Sequence, residues 1–564
     1  MKELTKNKKF LFVSLFVLVL VFILVYLGVS LSSHLANDVK ITDKNKSKIL
    51  SSFYSDIKIT KDKPIKGQID LNPADVASEL PDISKFEVSV NNTSETYVEI
   101  FSSTEKSGKE NDGWLNEVAK DFNNANIKIN NKLVSVKIRN IASGTATDYI
   151  KSGKYLPDAF SPSNELWGEI IKSNGVKTEL VSKRLVGNVP GIVIAKSKYD
   201  NLVKKYGQVN VKTVIEAISK NELSMGYTDP FASSTGLNFL VTALNTFDSS
   251  NILGEKAVKG FESFQSNVPF TASTTIQMRD AAKSGALDAF VLEYQSFINS
   301  PDLKDTYVFT PFGVRHDSPL YAIGNLSDEK KLILKKFAEF VGNEKYQTLG
   351  KKFGFNNLND YNSQLKVIDG NTLSAAQKVW KVKKNGSKPI AAVFVGDVSG
   401  SMDGDRLKHL KESLLKGQKY LGRDNSIGLV TYSDDVTINL PIAKYDVNQQ
   451  SKFVGAVESL QADGGTATYD GIIVALKMLQ NEEKINPNIR PLIFVLTDGE
   501  TNQGHSFKDI KGLIKAYKIP IYTIGYNANI KALESISSIN EAANINADTD
   551  DVTYKIRNLL NVQM

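Results

Sequence analysis

From Lys388 onward, short uninterrupted apolar runs alternate with amphipathic stretches, and this pattern limits the fold more than any other feature of the chain. Residues 390–395 (Ile-Ala-Ala-Val-Phe-Val) and 492–496 (Leu-Ile-Phe-Val-Leu) contain no polar side chain. Strands of that kind are buried on both faces, which calls for a parallel sheet covered by helices on each side. The predicted order is strand 389–396, helix 407–420, strand 426–432, helix 469–479, strand 491–497, helix 507–517 and strand 520–525. This is a doubly wound α/β domain over 388–564. In such sheets ligands collect beyond the carboxyl ends of the strands.

Three loops at that edge carry the unusual polar residues. The first strand runs into Asp397-Val398-Ser399-Gly400-Ser401-Met402. Its carboxylate and two hydroxyls stand at alternate positions, so an extended turn points all three the same way. The second loop is Gly464-Gly465-Thr466-Ala467-Thr468-Tyr469-Asp470, and the third, Leu496-Thr497-Asp498-Gly499, ends another strand with a carboxylate. Taken singly, each Asp or Ser is also a good helix cap. Three such loops on one edge favour a shared ligand instead. A Mg²⁺ ion takes oxygen ligands and keeps several waters, so a few hydroxyls and one or two carboxylates suffice. Asp403, Asp405 and Asp470 read as helix-start residues, and His505 as a surface residue.

The set Asp397-x-Ser399-x-Ser401, Thr466 and Asp498 resembles the metal-ion-dependent adhesion site of the von Willebrand factor A family. The resemblance implies that Ser399, Ser401 and Thr466 touch a divalent cation, Mg²⁺ or else Mn²⁺ or Ca²⁺, and that Asp397 and Asp498 act mainly through bound waters. Thr468 competes with Thr466; the latter is preferred because it directly follows the glycine pair. The family also implies a protein partner that offers a carboxylate to the metal.

Residues 96–363 again mix strands and helices without a repeat, with strands at 97–102 and 133–138 and helices at 114–122, 147–152 and 327–341. Several strands end in small hydroxyl clusters: Ser102-Ser103-Thr104, Ser143-Gly144-Thr145, Ser161-Pro162-Ser163-Asn164 and Ser233-Ser234-Thr235-Gly236. Hydroxyls and free amides at helix starts can hold an oxyanion or a polar solute, and they are equally ordinary caps. With Val98-Glu99-Ile100-Phe101, Pro157-Asp158-Ala159-Phe160, Gly226-Tyr227-Thr228-Asp229-Pro230 and Ala286-Leu287-Asp288-Ala289-Phe290-Val291, they resemble the extracellular solute-binding family of the type 2 periplasmic-binding-protein fold. That resemblance implies two α/β lobes crossed by the chain near 189–191 and 294–305. The cleft residues expected are Ser103, Ser163, Ser234 and Tyr294, for a small anion or polar solute. A linker, 364–387, contains a helix over 373–384 with Trp380. The tandem arrangement resembles a bacterial surface-protein family.

Residues 10–31 form an uncharged apolar run, long enough at ~1.5 Å per residue to cross a ~30 Å hydrocarbon layer. Lys2, Lys6, Lys8 and Lys9 precede it, which predicts a cytoplasmic tail (1–9), a single-pass anchor and an extracellular bulk. A cleaved signal peptide is the other reading; its apolar core is usually shorter. Lysines crowd 32–95 (Lys40, Lys44, Lys46, Lys48, Lys58, Lys61, Lys63, Lys66), which reads as a solvated juxtamembrane stalk. The absence of cysteine excludes disulfides, zinc ribbons and thiol catalysis. With four His in the chain and none but His505 and Glu500 near the metal loops as a base, no enzyme is expected. No basic helix interleaved with aromatics suggests nucleic acid. The expected activity is metal-dependent protein binding at a cell surface with a tethered solute-binding domain. The alternative is an anchored solute receptor for a transporter or sensor, its metal domain recruiting a partner.

Overall fold

The computed structural model describes residues 41–564 apart from 70–75, 269, 273–277, 279–286, 364, 386–387, 500, 527–543 and 548–551. The candidate anchor at 10–31 lies outside the described residues. Among the described residues no helix is long and apolar enough to cross a membrane.

The C-terminal domain is a seven-stranded sheet in the order Ile59–Lys61, Val436–Lys444, Ser426–Tyr432, Ile390–Asp397, Arg490–Thr497, Ile521–Tyr526 and Asn544–Ala547. All neighbours are parallel except the hairpin of Ser426–Tyr432 with Val436–Lys444. Ile390–Asp397 lies in the middle, buried along its whole length. Its side chains alternate between faces, as strand geometry requires. Ile390, Ala392 and Phe394 join a core with Leu410, Phe453 and Leu560, whereas Ala391, Val393 and Val395 join one with Leu50, Ile472 and Ile510. One continuous apolar strand thus serves two helical layers.

The stalk expected over 32–95 is corrected: residues 46–61 and Gly67 belong to the C-terminal domain, and Val88–Val90 is a strand of the middle domain. Helix Lys46–Asp56 packs on helices Thr468–Ile485 and Phe507–Tyr517, and Ile59–Lys61 adds the edge strand beside Val436–Lys444. Gly67 closes the attachment, donating to the Ser451 carbonyl (2.8 Å) and accepting from its hydroxyl (2.7 Å). The lysines mask an apolar face, Ile49, Leu50, Phe53, Tyr54, Ile57 and Ile59, at helical spacing. The Phe53 ring rests on His505, whose Nδ1 meets Asp470 Oδ1 at 2.6 Å. His505 is therefore mostly covered rather than a surface residue. Its hydrogen bond to Asp470 raises its pKa against the opposing effect of burial.

The middle domain has two lobes. The first sheet runs Val88–Val90, Lys132–Asn140, Thr96–Ser102, Ala159–Ser161, Leu320–Ile323, Thr178–Ser182; the second runs Phe270–Ala272, Met225–Thr228, Ala289–Glu293, Pro190–Ala195, Tyr307–Pro311. The chain crosses first through 183–189, close to the expected place. The return crossing is 312–319, not 294–305, because Tyr307–Pro311 is still a strand of the second sheet. The two crossings pair with each other: Asn188 and His316 exchange backbone hydrogen bonds of 3.0 Å. The expected linker helix is Gly370–Lys383, capped by Asp369, and it packs into the solute-binding-like lobes through Trp380, whose Nε1 donates to Tyr227 Oη (2.6 Å). The last helix, Val552–Gln563, joins the domains: Tyr554 Oη meets Thr145 Oγ1 at 2.9 Å and Arg557 donates to Asp148 at 3.0 Å.

Leu50 is fully buried. Leu50→Ala, in a chain starting at residue 41, is expected to cost about 2–5 kcal/mol in denaturant unfolding of the C-terminal domain; a cost below about 0.5 kcal/mol contradicts its place in that core. The His505–Asp470 bond gives a pH test. A histidine raised in the folded state stabilises fully below its ordinary value of ~6.5, and the contribution is lost as pH rises through the higher folded value. Between pH 6 and 8.5 the parent should lose stability more steeply than His505→Gln, measured by urea titration.

Candidate functional site

The three polar loops meet at the carboxyl edge of the C-terminal sheet. Asp397, fully buried, ends the central strand, and a carboxylate there needs donors. The Ser399 N–H supplies one to Oδ1 (2.9 Å) and the Thr497 hydroxyl another to Oδ2 (2.6 Å). Burial pushes the Asp397 carboxyl above the usual carboxylate range against those two donors, and the neighbouring Asp498 charge adds to the rise.

Ser399 Oγ and Ser401 Oγ lie 3.0 Å apart, and Ser401 Oγ donates to Asp498 Oδ1 at 3.0 Å. Ser399 is buried and Ser401 exposed, so the hydroxyl pair spans from the interior to the surface. Three of the five expected ligands are thus linked in a chain through Ser401, and Asp397 is tied to it through the Ser399 backbone.

The second loop is fixed by its neighbours. Gly400 N–H donates to the Gly464 carbonyl (2.9 Å) and Asp463 N–H to the Val398 carbonyl (2.8 Å). Gly464 has φ +78°, and a Cβ there would meet the Asp434 carboxylate, so glycine is required. Asn502 holds Thr466 by both backbone groups: its Oδ1 accepts from Thr466 N–H (2.8 Å) and its N–H donates to the Thr466 carbonyl (3.0 Å). Thr468 belongs to the helix, buried beside the Tyr432 phenol behind Asp397.

Sequence reasoning missed Arg406, Asp434, Thr497 and Asn502. Arg406 Nη1 donates to Asp498 Oδ2 (2.5 Å) and to the Ser401 carbonyl (3.0 Å), placing a cation on the nearly buried Asp498. Its position as the second residue of helix Asp405–Gly417, five residues after Ser401, was the available signal. The donors gathered here are all oxygens, hydroxyl-rich, with two carboxylates. That set fits a hard divalent cation such as Mg²⁺ and no soft metal.

In the middle domain, Ser103, Ser163 and Ser234 come together as expected, on a small cavity also lined by Glu105, Ser143 and Glu293. Tyr294 does not join them. It starts the next helix and its ring packs on Phe297 and Phe309; the preceding Glu293 faces the cleft instead. The lobes are in contact: Trp167 Nε1 donates to Ser234 Oγ (2.8 Å) and Gly144 N–H to the Ala232 carbonyl (3.2 Å).

Comparison with known proteins agrees with both halves. Residues 392–559 match the von Willebrand factor type A domain, and residues 107–356 match the bacterial extracellular solute-binding protein family. An inter-alpha-trypsin inhibitor heavy chain from Bos taurus is 30% identical over 178 residues, 29% of this chain and 20% of that protein. The chain thus spans about a fifth of that relative's length. Among solved structures, a sulfate-binding protein from Mycobacterium tuberculosis superposes with TM-score 0.35 and 12% identity, covering 51% of this chain and 92% of that one. A von Willebrand factor type A protein from Catenulispora acidiphila gives TM-score 0.28 and 19% identity, covering 31% and 42%. The chain joins a bacterial extracellular solute-binding domain to a C-terminal von Willebrand factor type A domain.

Proposed function

We propose that the chain is a cell-surface protein that binds a protein partner through a divalent metal on Ser399, Ser401, Thr466, Asp397 and Asp498, with its solute-binding domain held beside that site. The observation that supports it most is the contact chain Ser399–Ser401–Asp498, reaching the surface from a buried carboxylate. Bound there, Mg²⁺ supplies an open coordination position for a partner carboxylate. The residues hold and orient: Thr497 fixes Asp397, and Asn502 fixes the Thr466 backbone. The role is binding rather than catalysis, since the proposed ligand set consists of hydroxyls and carboxylates and contains no imidazole or thiol. Residues 10–31 anchor the chain in the membrane with its bulk outside. The solute-binding domain takes a small polar solute in its cleft and leaves open a second role as receptor for a transporter or sensor.

Metal stabilises a fold that binds it and whose unfolded chain lacks Cys. At free Mg²⁺ near 100 times Kd, linkage gives about 2.7 kcal/mol, or a rise of about 5 to 10 °C in the melting point of a domain this size. Chelation should reverse it. Because residues 41–68 belong to the domain, the measurement uses a chain from residue 41. Asp397→Ala and Thr466→Val should abolish most of the shift and Thr468→Ala should keep it; a parental shift in Asp397→Ala contradicts the assignment.

Arg406 sits on Asp498 with its own side chain partly exposed, so its competition with a metal is worth about 1 kcal/mol at most. Arg406→Ala should tighten Mg²⁺ binding by up to about fivefold in calorimetric titration. Partner binding is tested on acidic peptides. Retention should require Mg²⁺ and Asp397 and be lost when the peptide's Asp or Glu becomes an amide.

A further inference from the structure

The interlobe cleft contains a charge system of its own. Lys106 is fully buried. Its ammonium donates to the Ser103 hydroxyl and to the Ser161 carbonyl (2.9 Å) and lies 3.7 Å from the Glu105 carboxylate. The Ser103 hydroxyl in turn donates to Glu105 Oε1, and the Ser163 hydroxyl supports the same carboxylate. Burial would raise the Glu105 carboxyl, but the Lys106 charge and these hydroxyls outweigh it and hold it below the usual range.

Donors of this kind are what an anion site needs: two hydroxyls on one carboxylate with an ammonium close behind. Here the carboxylate belongs to the chain. Glu293 faces it from the second lobe, held by His316 Nδ1 at 2.6 Å and the Thr235 hydroxyl at 3.3 Å. The cavity that remains is about 30 Å³, room for one or two waters rather than a solute. On its wall the Ser143 hydroxyl, in a residue 4% exposed, has no hydrogen-bond partner among the described residues.

We propose that Glu105 is a specificity-determining residue of the cleft, a tethered carboxylate seated on Ser103, Ser163 and Lys106 in the place of a free anion. The domain therefore rejects oxyanions and carboxylates and takes neutral or cationic solutes, for which Glu293 and Ser143 supply acceptors. The inference rests on reading the cleft as the solute site, and it overrides the expectation of an anionic solute. A free anion would have to displace the Glu105 carboxylate from its donors and would meet Glu293 across the gap.

The test uses the chain from residue 41 with sodium sulfate, phosphate, formate and acetate, against sodium chloride at matched ionic strength. The parent should bind none of them at about 50 mM in calorimetry. Glu105→Ala empties the seat, so formate or acetate should bind it saturably and raise its melting point by about 3 to 5 °C at ten times Kd. In Glu105→Gln the amide still fills the seat, and no rescue by formate is expected. Failure of formate and acetate to bind folded Glu105→Ala overturns the proposal. If Glu105→Ala does not fold, the parent titrations decide: no binding upholds the proposal, and binding that Ser163→Val abolishes overturns it while keeping the cleft as the solute site. Parent binding that survives Ser163→Val overturns the reading of the cleft itself.

Discussion

A carboxylate placed at the end of a strand buried on both faces governs the C-terminal domain. Asp397 is removed from water, which is costly for a charge unless donors or a cation compensate. The Ser399 N–H and the Thr497 hydroxyl provide two donors, and both come from the loops that form the edge of the site. Asp498 adds a second carboxylate close by, and Arg406 answers it with a guanidinium. The loop shapes follow from holding these groups: Gly464 at positive φ lets the second loop pass Asp434, and Asn502 pins Thr466 by its backbone. A cation held on the proposed site would compensate charge that the fold has already gathered.

The two ends of the described chain are both built into this domain. Residues 46–61 extend one sheet edge and cover one helical layer, while Val552–Gln563 packs on the other layer and reaches the solute-binding lobes through Tyr554 and Arg557. Helix Gly370–Lys383 makes the reverse connection from the lobes to the central strand of the C-terminal sheet. A force applied to the C-terminal domain would therefore load the lobe contacts at Thr145 and Asp148 as well as the chain linkage.

The C-terminal fold was legible because its central strands are apolar without interruption, which fixes both the parallel sheet and the edge where ligands gather. Strand Val436–Lys444 escaped because Val-Thr-Ile-Asn-Leu-Pro alternates and carries a proline, which reads as a surface turn. The first helix escaped because its polar residues, mostly lysine and serine, outnumber the four apolar ones that form its buried face. Ser103, Ser163 and Ser234, read as strand-end hydroxyls, line one cavity, whereas Tyr294 does not: the strand ends at Glu293, which lines the cavity, and Tyr294 begins the next helix with its ring in the aromatic cluster. Glu105 and Lys106 had no local signal, since an adjacent acid and base usually mark a solvated turn.

The central claim is that the three loops hold one divalent ion. Crystals of the chain from residue 41 grown with Mn²⁺ test it most directly through anomalous scattering. The account predicts one strong peak bonded to the Ser399 and Ser401 hydroxyls, with Arg406 moved off Asp498. A map with no peak there, and Arg406 still on Asp498, would contradict it.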